Sequence, residues 1–221
     1  MLNFRKQSFV LAAILALAVW AVANLAPANG APVHRLSGQA ANTQGTVSAV
    51  YQIDPAHSTI GFAVRHLMIN NVMGRFNEFA GKINYDAADV TRSAVEFTAK
   101  TASVDTGVAR RDNHLRTPDF FDVQQYPEMT FKSTKVERKG NDAFVVHGTF
   151  TLHGVSKEIA IPFKLFGPIK DPQGKQRLGI EAGLTINRQD YGIKYNSVLE
   201  GGGLAVGNDV QITLLLEAIK Q

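Results

Sequence analysis

Residues 144–165 read FVVHGTFTLHGVSKEIAIPFKL, and apolar residues recur at every second position through most of this stretch. One series of alternate positions consists of Phe144, Val146, Gly148, Phe150 and Leu152, and a second consists of Ile159, Ile161, Phe163 and Leu165. A repeat of two is typical of a β-strand that buries one face, because successive side chains point to opposite sides. The stretch therefore predicts two half-buried strands of a sheet.

The same pattern continues in both directions, from Val50 almost to the C-terminus. Further strands are predicted around residues 60–66, 76–85, 95–100, 130–137, 184–186 and 210–216, with turns at Lys139–Asp142, Gly167–Pro168 and Asp171–Gly174. Only Thr106–Thr117 has helical spacing; Pro118 ends it, and a second helical turn is predicted as an option at Asp119–Gln125. The predicted fold is all-β: an antiparallel closed β-barrel of about eight strands with one or two short helices, because closure leaves no exposed sheet edge. The pattern does not decide whether side chains or a small ligand fill such a barrel.

The N-terminal segment has the features of a secretory signal peptide. A pair of basic residues precedes an uncharged apolar run from Phe9 to Ala23, and small residues follow it. This run is shorter than the roughly 20 apolar residues that a spanning helix needs, and an uncleaved anchor is the alternative. Two Ala-x-Ala sites fit the cleavage rule, so the cleavage position stays open. We predict a periplasmic protein made of a signal peptide over residues 1–31, a flexible leader over 32–48 and a barrel domain over 49–221.

The composition excludes several classes of protein. The 221 residues include no cysteine, which excludes a disulfide scaffold, a cysteine nucleophile and thiolate metal ligands. Hydrophobic residues make up 45% and the formal charge is only +4, so the chain as a whole is not disordered. Residues 1–31 hold two of the 23 basic residues and none of the 19 acidic ones, which leaves +2 for the remainder. Because that remainder has no run of Lys and Arg, we predict no nucleic-acid partner.

Two groups of residues could carry chemistry but lack the spacing of a catalytic or metal site. Asp54, His57 and Ser58 have the residue types of a hydrolytic triad, yet no Gly-x-Ser-x-Gly elbow surrounds the serine. An Asp-Pro pair is also a common turn before a strand. The six histidines form no His-x-His or His-x-x-x-His pair. We therefore predict no catalytic residue, no metal site and no cofactor.

Polar residues crowd the predicted helix and allow two interpretations: Arg110, Arg111, Asp112, His114 and Arg116. They form either a solvated face with local ion pairs or a polar gate that holds the polar end of a ligand at a barrel mouth. The phenylalanines give a clearer signal, since there are 13 of them against one Trp and five Tyr. Phenylalanine buries a large area without a polar atom to satisfy, so it suits both a packed core and an apolar pocket.

Short blocks in a fixed order carry a resemblance that no single motif would carry. The most specific are Ser103–Thr106, Arg111-Asp112, His114–Arg116, Phe120–Val123 and Tyr126-Pro127. Others precede and follow them at matching spacing: Ile53-Asp54, His57-Ser58, Ile60–Phe62, Val64–His66, Val72–Phe76, Met129–Ser133, Thr151–Val155, Asn187-Arg188, Asp190–Gly192 and Gly207–Val210. On these blocks, almost all of Tyr51–Glu217 resembles the YceI-like family of bacterial periplasmic proteins.

The resemblance implies a lipocalin-like barrel around a long apolar cavity that binds a polyisoprenoid chain or an isoprenoid quinone for shielding, storage or transport. It implies no catalytic residue. The predicted ligand-binding residues, with Arg111 and His114 at the polar end of the ligand, are Phe62, His66, Phe76, Phe79, Phe97, Arg111, His114, Leu115, Phe120, Phe121, Phe131 and Phe150. Each buried CH₂ of such a ligand contributes about 0.8 kcal/mol, and an apolar tube supplies this without precise polar contacts.

Two other hypotheses stay open beside a lipid-binding protein that is not an enzyme. The first is a barrel enzyme or redox-associated protein acting on a quinone or lipid, whose interior would bring together His57, Ser58, His66, Arg111 and Asp112. The second is a ligand-free stress or interaction protein whose barrel is filled by side chains. A homodimer and transient membrane contact are further hypotheses.

Overall fold

The computed structural model of the protein describes residues 48–200 and 203–221. The predicted signal peptide, and all of the predicted leader except Ser48, lie outside the described residues. The described part is mostly β-strand with one α-helix: β1 Ser48–Ile53, β2 Thr59–His66, β3 Asn70–Phe76, β4 Phe79–Asp86, β5 Ala94–Lys100, β6 Val104–Asp105, α1 Ala109–Leu115, β7 Glu128–Arg138, β8 Ala143–Leu152, β9 Val155–Lys170, β10 Gln176–Asn187 and β11 Val206–Lys220. Four 3₁₀ helices interrupt or follow strands at Pro55–His57, Val90–Arg92, Thr101–Ser103 and Arg188–Tyr191. No helix in residues 48–200 and 203–221 is both long and apolar enough to cross a membrane.

The eleven strands occupy eight positions of a closed antiparallel ring. The order around it is β1-β4-β5-β7-β8-β9-β10-β11, and β11 pairs back with β1, for example at Tyr51 and Lys220. Strands β2, β3 and β6 follow β1, β4 and β5 around the same ring, since β2 also pairs with β11, β3 with β2 and β6 with β3. The predicted closed barrel of about eight antiparallel strands with a short helix is therefore confirmed.

The inward face of the barrel follows the alternation of the sequence. Even-numbered residues of β8 from Phe144 to Leu152 are buried, while the odd-numbered ones are only partly buried. The predicted apolar series of β9, which runs from Ile159 to Leu165, also faces the interior. Apart from Ile161, these β9 residues are less deeply buried than those of β8. This incomplete burial is what an interior with unfilled space produces, because an inward side chain with no neighbour on one side stays accessible.

Two details of the predicted strand pattern are wrong. Strand β7 does not alternate regularly from Thr130 to Glu137, because a bulge at Ser133–Lys135 inserts an extra residue. Both Phe131 and Val136 consequently face the interior although they differ in parity. The predicted turn at Gly167–Pro168 instead lies within the sixteen-residue strand β9, where the ladder to β10 shifts register.

The helical segment replaces part of the barrel wall. Helix α1 lies inside the predicted Thr106–Thr117, whereas residues 119–125 form hydrogen-bonded turns rather than a second helix. In the described part of the chain, β6 pairs only with β3, and β7 pairs with β5 and β8, so α1 and the following turns lie between β6 and β7. Arg116 fixes the helix there, since Nε donates to the carbonyl oxygen of Ala102 at 2.8 Å and Nη2 to that of Val104 at 2.8 Å.

Candidate ligand-binding cavity

The barrel encloses a lower cavity of about 170 Å³. It lies toward the end of the barrel that carries Arg177, and its lining includes the neighbouring Leu178. Apart from Ser93 and the hydroxyl of Tyr85, the side chains around it are apolar, and they come from every position of the ring. This cavity therefore suits a hydrocarbon chain and offers almost no hydrogen-bonding groups.

An upper cavity of about 330 Å³ adjoins the lower one. The residues that line both cavities, called the neck below, are Phe62, Phe76, Met129, Phe150 and Ile212. The upper cavity lies among the ends of β2 and β3, helix α1, the turns after it, and lining residues within 186–197 and 205–206. Together the two cavities give the barrel an apolar inner end and a more polar outer end.

Helix α1 divides its charged residues between different tasks. Arg111 and His114 line the upper cavity, whereas Arg110 is exposed and lines neither cavity. Asp112 is buried and accepts hydrogen bonds from the backbone N–H and the hydroxyl of Thr106, at 2.9 and 2.5 Å. The structure therefore favours the polar-gate interpretation for Arg111 and His114, and a solvated face for Arg110.

Thr106 positions the guanidinium of Arg111. Nε of Arg111 donates to the hydroxyl oxygen of Thr106 at 2.7 Å, and Nη2 donates to its carbonyl oxygen at 2.9 Å. The same hydroxyl donates its proton to Asp112, so a chain of hydrogen bonds links the helix to the guanidinium. Arg111 is consequently held in one orientation by neutral oxygens rather than by a carboxylate.

An aromatic cluster surrounds His114 at the cavity. Ring centroids of His114, Phe120 and Tyr195 lie 4.9 to 5.1 Å apart. Nε2 of His114 lies 2.8 Å from Oδ2 of Asp119, which fixes the imidazole against the cluster. Tyr195 was not among the predicted site residues, since it stands outside the alternating strands and outside the matched blocks.

Arg188 is a second cavity residue that the sequence analysis did not select. The residue is 4% exposed, and its guanidinium donates to the carbonyl oxygens of Gly207 at 2.9 Å and Ile193 at 2.8 Å. Longer contacts of 3.4 Å reach Val206 and the side chain of Asn208. Burial lowers the pKa of Arg188 because water no longer stabilises the charge. The signal that could have found it is the Asn187-Arg188 block of the family resemblance.

The opposite end of the barrel is closed by ion pairs around Arg177. Nε of Arg177 lies 2.7 Å from Asp171, and Nη1 contacts Asp54 at 3.2 Å and also Glu217. Hydrogen bonds from Arg177 hold the pKa of Asp171 below its usual range. The pKa of Asp54 is also lowered, mainly by the hydrogen bond to His57 at 2.8 Å and to a smaller extent by Arg177.

Asp54, His57 and Glu217 lie close enough together to ligate a cation, the one such group in the described parts of the chain. Arg177 already contacts both carboxylates of this group, so a fixed positive charge stands where a metal ion would bind. Ser58 faces the backbone of Glu217 rather than His57 and therefore completes no triad.

Comparison with known proteins gives a consistent result. The family model of the YceI-like domain matches residues 51–218. The chain belongs to the YceI-like family. The UPF0312 protein Shewana3_1179 of Shewanella sp. (strain ANA-3) is 41% identical to this YceI-like protein over 176 residues, which are 79% of this chain and 89% of the relative.

Solved structures agree with this YceI-like fold. The Campylobacter jejuni YCEI protein is 32% identical, with a TM-score of 0.61, over 71% of this chain and 90% of that one. A polyisoprenoid binding domain from Saccharophagus degradans, implicated in plant cell wall breakdown, superimposes with a TM-score of 0.60 over 79% of this chain and 99% of that domain. The second similarity, at 19% identity, concerns the fold alone.

Most residues that the sequence analysis selected do meet in the two cavities of this YceI-like protein. Phe97 and Phe131 line the lower cavity, and Phe62, Phe76 and Phe150 belong to the neck. The upper cavity is lined by His66, Arg111, His114, Leu115, Phe120 and Phe121. Phe79 lines neither cavity and packs on Phe97 with ring centroids 6.3 Å apart. Their role in ligand binding stays a prediction.

The residues named for a barrel enzyme do not converge. His57 and Ser58 stand beside Glu217 at the Arg177 end, whereas His66 and Arg111 line the upper cavity. Strand β2 alone separates Thr59 from His66 by about 23 Å, at 3.3 Å per residue. Asp112 lines neither cavity, and its carboxylate accepts hydrogen bonds from Thr106.

Proposed function

We propose that this YceI-like protein is a periplasmic lipid-binding protein that holds a polyisoprenoid or isoprenoid-quinone chain in its barrel for shielding, storage or transport, without catalysing a reaction. The observation that carries the proposal is the series of an apolar lower cavity, a neck rich in phenylalanine and an adjoining upper cavity whose lining adds arginine and histidine. A single-chain amphiphile has the same order of apolar and polar parts. The fold similarity to a polyisoprenoid binding domain supports the same ligand class.

Burial of a chain would complete the interior of the barrel. Inward-facing residues of β9, β10 and β11, such as Phe163, Leu184 and Leu214, keep part of their surface accessible. A chain in the lower cavity would remove that apolar surface from water and gain about 25 cal/mol for each Å² buried. An isoprenoid chain suits this space because its repeating units need no specific polar partner.

Mass spectrometry of an organic-solvent extract tests the ligand class. The exported protein, purified without detergent, is expected to release a lipid with isoprene-unit mass spacing. The stripped protein is expected to rebind the same lipid at a ratio of one per barrel. An extract without any lipid, followed by no uptake of polyprenyl ligand, would reject the proposal.

The two cavities also bear on the other hypotheses. A barrel filled by side chains would lack the space that the neck connects, so the cavities favour a ligand-holding protein over a ligand-free one. What supports binding over catalysis is the separation of His57 and Ser58 from His66 and Arg111. No specific observation favours an enzyme that acts on the bound lipid.

Periplasmic location is part of the proposal and rests on the N-terminal sequence. Expression of the full chain with a C-terminal tag, followed by osmotic shock, is expected to release a protein shortened by about 23 to 31 residues, from the first Ala-x-Ala site to the end of the predicted signal peptide. Intact mass measurement locates the cleavage. Full-length protein retained in the cytoplasm or membrane fraction would contradict export.

An apolar rim at the upper end supports transient contact with a membrane. Its exposed side chains are Leu67, Met68, Ile69 and Val198. The backbone N–H of Leu67 donates to Ala205 at 2.8 Å, which joins the β2–β3 hairpin to the loop that carries Val198. His66 and Ala205 line the upper cavity, so the rim borders the opening through which a lipid would leave a bilayer.

Vesicle flotation tests this contact. Ile69→Ser is expected to reduce binding to vesicles and to slow lipid uptake from them. Ile169→Ser is the matched control, because Ile169 is 64% exposed near the Arg177 end whereas Ile69 is 79% exposed at the rim. Equal effects of the two variants would contradict contact through the rim. A homodimer stays a prediction that sedimentation velocity of the purified barrel checks.

A further inference from the structure

We infer that the upper cavity binds an anionic head group, a carboxylate or a phosphate monoester, at the end of the chain held in the lower cavity. This inference rests on the proposed lipid-binding function and narrows the ligand to acidic amphiphiles. Neutral heads, such as alcohols and quinones, would then bind more weakly than an acid of the same chain length.

The charge of the cavity wall is the first observation. Among the residues that line the upper cavity in the described part of the chain, the ionisable side chains are Arg65, His66, Arg111, His114, Arg188 and Tyr195. None of these described lining residues is an aspartate or a glutamate. Three arginines without a lining carboxylate create a positive potential at this cavity, and screening by water is weakest at the buried Arg188, whereas Arg65 is exposed.

Arg188 supplies a buried charge without a counter-ion. The described chain places no carboxylate oxygen within 4.0 Å of its guanidinium, which is held by backbone carbonyls and the amide oxygen of Asn208. A charge removed from water without an ionic partner is costly, and a charged partner lowers that cost. An anion in the upper cavity would supply that partner.

Arg111 adds a guanidinium with an unused edge. Its Nε and Nη2 donate to Thr106, while Nη1 donates no hydrogen bond to any described residue. The described chain also places no carboxylate within 4.0 Å of Arg111, because Asp112 is directed to Thr106 instead. A prealigned guanidinium with free N–H groups matches the paired oxygens of a carboxylate or phosphate.

Two acidic residues lie near the upper cavity, but in the described chain neither forms an ion pair with Arg111 or Arg188. Oδ2 of Asp119 lies 2.8 Å from Nε2 of His114, and the carboxylate of Asp112 accepts a hydrogen bond from the hydroxyl of Thr106. Both carboxylates lie outside the cavity lining. Asp112 reaches Arg111 only through the hydroxyl of Thr106, so Nη1 of Arg111 keeps no described partner and can donate to a ligand that enters from the neck with its chain below.

A set of three ligands with one chain length tests the inference. Farnesol, farnesoic acid and farnesyl monophosphate are titrated into delipidated protein at equal ionic strength, with affinity measured by calorimetry. We expect both acids to bind at least tenfold more tightly than the alcohol. A preference for the phosphate alone identifies a phosphate head and also supports the inference.

Arg111→Gln is expected to reduce the affinity for the acids at least tenfold and the affinity for farnesol much less, while circular dichroism and a melting curve check that the variant is folded. Arg110→Gln is the matched control on the same helix, since Arg110 lines neither cavity. Equal affinity of the native protein for all three ligands overturns the inference and leaves the proposed function standing. If the native protein binds none of the three ligands, both the inference and the proposed function are rejected. An unchanged preference for acids in Arg111→Gln overturns the role assigned to Arg111.

Discussion

The ring of Phe62 lies over the α-carbon of Gly74, its partner in the ladder between β2 and β3. A β-carbon at Gly74 would stand only 2.7 Å from Cε1 of Phe62 and 2.8 Å from Cγ2 of Thr106. Phe62 belongs to the neck, so the absence of a side chain at Gly74 allows this ring to lie against the wall. The pair therefore sets how far the ring of Phe62 projects into the space between the two cavities.

Gly74→Ala is expected to narrow the neck. The new methyl group displaces the ring of Phe62 toward the interior, and affinity for a long-chain ligand should fall at least tenfold. Titration of stripped protein with a fluorescent polyprenyl probe measures the change. Gly183→Ala is the control, because its β-carbon would be 3.4 Å from the nearest atom, the carbonyl oxygen of Ile212. Full ligand binding by Gly74→Ala would contradict the role of the neck.

Gly148→Ala is expected to destabilise the barrel rather than only its ligand site. A β-carbon there would stand 2.7 Å from Cζ of Phe131 and 2.8 Å from the α-carbon of Ser133. Because the second neighbour is backbone at the β7 bulge, it cannot move aside cheaply, and we expect a loss of about 1–3 kcal/mol in the free energy of unfolding. Urea denaturation measures it. Gly140→Ala, with 3.5 Å to its nearest neighbour, should cost much less.

Ala182→Phe is expected to fill the lower cavity. Ala182 faces this cavity from β10, opposite Phe163 of β9 and Leu214 of β11. Ligand affinity should fall at least tenfold, while the free energy of unfolding should change by less than about 1.5 kcal/mol, because empty space receives the ring. Ala160→Phe, at an exposed position of β9, is the matched control. A strong loss of stability with unchanged binding would argue for a packed interior.

Acid is expected to weaken the Arg177 end of the barrel. Hydrogen bonds from Arg177 lower the pKa of Asp171, and His57 is the main cause of the lowered pKa of Asp54. A carboxyl group with a lowered folded pKa stabilises the fold above its unfolded pKa, about 4, and this stability is lost as the pH falls through the folded value. The melting temperature should therefore vary little above about pH 5 and fall steeply below about pH 4.

Asp171→Asn provides the comparison for that pH dependence. The variant should melt at a lower temperature than the native protein at pH 7, and the difference should shrink toward pH 3, because the native carboxylate is then protonated. A difference that stays constant from pH 7 to pH 3 would contradict an ionic contribution from Asp171.

Sequence alternation predicted the barrel because each strand keeps one apolar face. The series from Phe144 to Leu152 and from Ile159 to Leu165 needed no tertiary information to assign, and the helix around Arg111 stood out through its different spacing. The β7 bulge could not be predicted in this way, because the alternation of residue types does not show that Thr134 is an extra residue in the strand. The turn predicted at Gly167–Pro168 was wrong, because a residue pair that is typical of turns also occurs at an irregular point of a long strand.

The sequence by itself determined the fold class, the apolar inward face and most of the residues that meet in the cavities. Only the tertiary structure decided that the interior has open space, because cavity volume depends on how facing side chains pack and not on their individual hydrophobicity. It likewise separated His57 from His66, and it brought Arg188 into one cavity with Arg111, although the two are 77 positions apart in the sequence. Such encounters depend on ring closure, which joins strands that no local pattern connects.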